Sequence, residues 1–123
     1  MKQASQTYLL SLTSQEFEQI TLAIMLQSNN ALKLQGFGQC IARWLDQWST
    51  GELPMTEPGH AQDIDALAGS THQIYVGLAG ETIQLFKAWR TALVEASAIP
   101  VPVRAAIMAL VACFLAQHRE ESA

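Results

Sequence analysis

The chain has 123 residues, of which 50% are hydrophobic and 15% are charged, so its composition is that of a globular protein and excludes a disordered one. This length supports one domain with a conventional core. The 11 acidic and 7 basic residues give a net charge of −4, and the basic residues are scattered along the chain. Phosphate binding needs clustered Lys and Arg, so we expect no nucleic-acid partner.

Cys40 and Cys113 both lie within apolar segments, and we interpret them as small core side chains rather than as a disulfide. The first residues, MKQASQ, are polar and do not resemble a secretory leader. The longest apolar run covers 12 residues, 105–116, whereas a membrane-spanning helix needs about 20. We therefore expect a cytoplasmic protein with no membrane partner.

The N-terminal arm, 1–12, carries Tyr8, Leu10 and Leu12 in alternation, which predicts a short strand or an extended arm. A single strand in a helical chain leaves its backbone groups unpaired. The simplest strand partner is the same segment of a second copy, across a two-fold axis. An extended arm lying on the helices is the alternative.

Thr13 and Glu16 have the spacing of a capping box, which predicts that the first helix begins here. The apolar pattern that follows predicts a helix to about Ser28. Three apolar side chains define its inner face, and three more widen that face. They are Phe17, Ile20 and Ile24, and then Leu22, Met25 and Leu26.

The clearest amphipathic pattern predicts a second helix between Gly36 and Ser49. Its apolar residues recur at helical spacing, namely Phe37, Cys40, Ile41, Trp44, Leu45 and Trp48. The segment 49–60 contains two prolines and two glycines, which predicts a loop.

The pattern from His60 to about Ala98 again predicts helix, with a break at Gly77–Gly80 because interior glycines destabilise helices. The part before the break carries Ile64, Leu67, Ile74, Tyr75 and Leu78. A proline-containing linker, 99–102, separates this region from the last helix. Pro102 fits the start of that helix, where no backbone N–H is needed.

These elements predict an all-α protein, a single-domain bundle of about five helices over residues 1–123 with a short N-terminal strand or arm. No internal repeat is visible in the sequence.

No residue pattern indicates a catalytic site, a metal site or a cofactor. His60 and Asp63 lie near Asp65 and Glu57, but no further ligand of defined spacing follows. We interpret this cluster as a helix N-terminus enriched in acids by the helix dipole. The glycines lack the spacing of a phosphate-binding loop, and no activated serine or cysteine motif occurs.

The sequence favours a small non-catalytic protein-interaction or regulatory module, homodimeric, whose further partner is another protein. Trp44, Trp48 and Trp89 fit core packing at helical spacing, but if Trp44 and Trp48 are partly exposed they can anchor a partner. The acidic segment between Arg43 and Lys87 fits a solvated loop and helix start, and it can alternatively attract a basic partner. The candidate contact residues are Tyr8, Leu10, Leu12, Trp44, Trp48, Glu52 and Glu57. The alternative is a helical enzyme or ligand-binding module with a site near His60, Asp63 and His72.

Overall fold

The computed structural model describes residues 5–53 and 72–122. In chain order they form β1 (Ser5–Leu12), α1 (Ser14–Ala31), α2 (Phe37–Ser49), β2 (His72–Ala79), α3 (Gly80–Ser97) and α4 (Val103–Ser122). The mostly helical class is confirmed. The described residues contain four helices and a two-stranded sheet, rather than about five helices.

The prediction of helix immediately before Gly80 is wrong, because β2 occupies residues 72–79. Along this strand Val76 and Leu78 are buried while Tyr75 and Gly77 are exposed. This period of two is that of a half-buried strand. The earlier part of the predicted helical segment, including Ile64 and Leu67, lies outside the described residues.

The predicted N-terminal strand is confirmed, and its partner is within the same chain rather than in a second copy. β1 pairs antiparallel with β2, from Ser5 opposite Ala79 to Leu12 opposite His72. The inner face of this two-stranded ribbon carries Leu10, Leu12, Val76 and Leu78, all of which are buried. The backbone groups of β1 and β2 therefore hydrogen-bond to each other where the strands meet, and the inner face of the ribbon covers one side of the core.

The chain contains two β-α-α units with equivalent positions 66 residues apart. Ser14 and Gly80 begin helices of 18 residues each, and Phe37 and Val103 begin the helices that follow. α1 and α3 even end alike, on Leu32 and Ala98, which both adopt the left-handed conformation. That conformation is uncommon for residues other than glycine, so its recurrence supports the equivalence of the two units.

The two units are related by an approximate two-fold axis through the ribbon. Leu9 and Tyr75 are equivalent positions, and they are also direct partners across the strands, so the axis passes through this pair. The helix contacts follow the same symmetry, since the axis relates the contact of α1 with α4 to the contact of α3 with α2, and both contacts are present. The repeat is invisible in the sequence because only two aligned pairs are identical, Leu12 with Leu78 and Ile41 with Ile107.

α4 lies at the centre of the helices and contacts α1, α2, α3 and β1. Its large side chains, such as Ile107 and Leu110, are buried, and so are Ala105 and Ala109 on its small-residue side. Because packed neighbours cover both sides, the apolar run needs no further cover. No helix among the described residues is long and apolar enough to cross a membrane.

The predicted capping box at the start of α1 is confirmed, with Thr13 and Glu16 exchanging backbone and side-chain hydrogen bonds of 2.9 and 3.1 Å. A second carboxylate oxygen of Glu16 accepts from Arg104 at the start of α4. One acidic side chain therefore both caps α1 and joins it to the helix that packs against it.

Candidate interaction surfaces

Three of the predicted contact residues lie in the core. Leu10, Leu12 and Trp44 are buried, so these side chains offer no free surface to a partner. The indole Nε1 of Trp44 donates to Gln27 Oε1 at 3.1 Å, and its ring stacks on Phe114 at 4.8 Å. Trp44 is therefore a core residue that joins α1, α2 and α4, in agreement with the core-packing interpretation of its helical spacing.

Tyr8 and Trp48 are half-buried and pack against aromatic rings of α3. The ring of Tyr8 lies 5.7 Å from that of Phe86, and Trp48 meets Trp89 edge-on at 5.2 Å. Much of both side chains is therefore used within the fold.

The acidic loop is described only at its beginning. Glu52 is exposed, and its carbonyl accepts a hydrogen bond from Gln117. Glu57 lies outside the described residues, as do His60 and Asp63 of the alternative site.

His72 occupies the start of β2, where its Nε2 lies 3.2 Å from Ser14 Oγ and its ring stacks on Phe17. These contacts tie β2 to the start of α1. Within residues 5–53 and 72–122, no group of three or more His, Cys, Asp or Glu could hold a metal ion.

The outer face of α1 carries an exposed stripe, and some of its residues were predicted to lie in the core. Leu22 and Met25 were expected to face inward, but they are 44% and 51% exposed, and Leu32 is 91% exposed. We use the name α1 stripe for five exposed residues, which are Glu18, Leu22, Met25, Asn29 and Leu32. The first four lie on α1 with the alternating spacing of four and three residues that is typical of a helix-pairing seam, and Leu32 follows at the left-handed C-cap of the helix.

The equivalent stripe on α3 is an internal comparison. Its residues are Gln84, Ala88, Thr91, Glu95 and Ala98, all of them exposed. This set is polar or small, as expected for a helix face in water. Large apolar side chains in the α1 stripe are therefore not a requirement of the fold.

A groove continues the α1 stripe toward the loop that follows the helix. Its volume is about 290 Å³. Leu34, which is 94% exposed, lines it together with Ile24 and Met25. Opposite charges stand at the two ends of this surface, with Glu18 near the start of the helix and Lys33 after its end, both exposed.

The outer face of the ribbon is a second exposed surface. The Leu9–Tyr75 pair forms its centre, and Thr7, Ser11 and Gln73 flank it. No charged side chain projects from this face along the two described strands.

A polar cleft of about 730 Å³ lies between α1, α2 and α4. Six amide side chains line it, along with a few charged and aromatic residues. The amides are those of Gln27, Asn30, Gln35, Gln39, Gln47 and Gln117. Arg43 and Asp46 stand on its α2 wall, with Nη1 and Oδ2 3.9 Å apart.

Comparison of the chain with protein-family models, with curated proteins and with solved structures finds no match. Function must therefore be argued from these surfaces alone.

Proposed function

We propose that this protein is a non-catalytic interaction module that forms a homodimer through the α1 stripe. The observation that carries the proposal is the exposure of Leu22 and Met25 on α1 and of Leu32 at its C-cap, together with the polar or small character of the equivalent stripe on α3. Exposed apolar groups in a continuous row are typical of interaction sites.

A second copy is the occupant that best complements this surface. A two-fold axis near Met25 would align the two α1 helices antiparallel, as isologous dimers require. Glu18 of one copy would then face Lys33 of the other, at both ends of the seam.

The expected dimer is of modest affinity. A helix of 18 residues is about 27 Å long, so the seam covers less area than a standard interface of about 800 Å² per partner. Leu34 and the groove beside it add apolar area at each end. We expect a monomer–dimer equilibrium with a dissociation constant on the order of micromolar.

Sedimentation velocity of Met25→Glu tests the proposal. The wild-type sedimentation coefficient should rise with concentration, whereas Met25→Glu should remain monomeric because a carboxylate would be buried in an apolar seam. Thr91→Glu is the matched control, since Thr91 is the equivalent residue on α3, and it should dimerise like the wild type. A wild type that stays monomeric at high concentration refutes the proposed dimer.

DNA binding through the exposed ribbon is the second function to be tested. A two-stranded ribbon fits the major groove, and some DNA-binding proteins read bases with such strands. Thr7, Ser11 and Gln73 supply hydrogen-bonding groups on the outer face. Against this, the face carries no cation in its described strands, and the net charge is −4.

An anisotropy titration with a labelled duplex at low salt separates the two candidates. We expect no binding, because neutralised phosphates supply most of the affinity of DNA-binding proteins. Tight binding that Gln73→Ala weakens would instead favour the ribbon as a DNA reader.

A further inference from the structure

We infer that the polar cleft between α1, α2 and α4 binds a small zwitterionic molecule of the amino-acid type. The inference rests on a buried amide donor for which no described residue supplies an acceptor, on two opposite charges that line the same cleft and on a comparison with the other half of the fold. It is independent of the proposed dimer.

Gln27 is the buried polar group of the cleft, with 6% of its surface exposed. Its orientation is fixed, because the indole of Trp44 can only donate and so requires Oε1 of this amide. The NH₂ end, Nε2, therefore remains as a donor, and no described residue supplies an acceptor for it. Leaving such a buried donor without an acceptor is unfavourable, so the site fits a ligand that brings one.

The equivalent positions in the second β-α-α unit are apolar. Gln27 corresponds to Leu93, Gln39 to Ala105 and Arg43 to Ala109, and these three counterparts are buried in the core. The fold can therefore fill this region with apolar side chains. A set of amides and charges at the same place in the first unit points to a role other than packing.

Arg43 and Asp46 supply the charges that a zwitterion needs. Their side chains are 54% and 61% exposed, and a contact of 3.9 Å between such exposed groups contributes little stability. Both groups therefore remain able to bind a ligand. A carboxylate would accept from Arg43 and Gln27, and an ammonium group would donate to Asp46.

The size and walls of the cleft agree with such a ligand. Its volume of about 730 Å³ lies within the range of small-molecule sites. Phe114 and His118, whose stacked rings lie 6.2 Å apart, form an apolar and aromatic part of the wall. The surrounding amides can bind either donors or acceptors along the body of the ligand.

Titration of ¹⁵N-labelled protein with L-glutamine, followed at the indole N–H signals, tests the inference. The Trp44 signal should shift saturably because its acceptor is the amide that contacts the ligand. The Trp89 signal is the internal control, since its N–H donates to the carbonyl of Ala106 away from the cleft, and it should not move. Propionamide, which has the amide but neither charge, should cause no saturable shift.

Two variants separate cleft binding from a general effect on the protein. Arg43→Gln removes the exposed guanidinium without disturbing the core and should weaken binding at least tenfold. Lys87→Gln removes a cation from α3, which does not line the cleft, and should bind as the wild type does. Absence of a saturable Trp44 shift overturns the inference, as does an equal response to propionamide or unchanged binding by Arg43→Gln.

Discussion

At the scale of single residues, Gly38 in the first turn of α2 lies very close to the ribbon. A Cβ built at Gly38 would lie 2.6 Å from the carbonyl oxygen of Gly77 in β2. Backbone atoms cannot move aside as a flexible side chain could. The absence of a side chain at Gly38 therefore lets α2 approach the ribbon.

We expect Gly38→Ala to destabilise the protein. Alanine is the better helix former by about 1 kcal/mol, but overpacking costs about 1–3 kcal/mol. The clash should therefore outweigh the gain in helix propensity and lower the free energy of unfolding. Gly77→Ala is the matched control, because its added Cβ would meet only Thr7 Oγ1 at 4.0 Å. Urea denaturation of both variants measures the difference. Equal stability of the two would show that the contact with Gly77 does not constrain α2.

Burial raises the pKa of the Cys40 thiol from 9.0 to about 11. The folded state therefore keeps the proton to a higher pH than the unfolded state does. The stability associated with the neutral thiol is complete below pH 9 and is lost as the pH rises toward 11.

We expect the free energy of unfolding to fall between pH 9 and pH 11 more steeply in the wild type than in Cys40→Ala. Alanine is also the residue at the equivalent position of the other unit, Ala106. Denaturation at a series of pH values gives both slopes. Parallel slopes for the two proteins would mean that Cys40 does not contribute to the alkaline loss of stability.

At the scale of elements, α1 and α3 begin differently although the backbone before them is alike. Thr13 has φ −74° and ψ 164°, and Ala79 has φ −83° and ψ 167°. Thr13 accepts from the N–H of Glu16, whereas Ala79 has no side-chain group to do so. The first helix is capped by its side chains and the third is not.

We expect Ala79→Thr to stabilise the protein and Thr13→Ala to destabilise it, each by about 1 kcal/mol. The backbone at Ala79 already has the geometry that a capping residue needs, and Ala79 is exposed. Thermal unfolding of the two single variants checks both signs. A lower melting temperature for Ala79→Thr would show that the two helix starts are not equivalent.

The sequence predicts some elements well because their signals are local. The capping box at Thr13 and the apolar stripe of α2 each depend on residues within a few positions. β2 could not be predicted in the same way, because Ile74, Tyr75 and Leu78 also have a spacing that suits one helix face. Pairing with β1, more than 60 residues earlier in the chain, decides in favour of the strand.

At the scale of the whole molecule, comparison of the two β-α-α units shows which surface is unusual. From the sequence alone, Leu22 and Met25 look like further core residues of an amphipathic helix. Their equivalence to Ala88 and Thr91 could not be predicted, since the two units share almost no identical residues. The polar cleft was also missed, because its amides come from three different helices and from the loop between α1 and α2.

The two units also secure their second helices by different means. Arg104 at the start of α4 pairs with Glu16 of α1, and the side chains are only 13% and 15% exposed. The residue equivalent to Arg104 is Gly38, which instead approaches the backbone of β2. An ion pair joins α4 to α1 in one half of the molecule and close backbone packing brings α2 to β2 in the other, so the two halves differ in these contacts around a common topology.

The dimer dissociation constant of a charge-reversed pair tests the central claim most directly. Glu18→Lys should weaken dimerisation about tenfold, because it would place two like charges opposite each other at both ends of the seam. Adding Lys33→Glu to the same chain should restore the wild-type value, since the antiparallel arrangement pairs these two positions between copies. A double variant that stays as weak as Glu18→Lys in sedimentation equilibrium would contradict the proposed antiparallel dimer.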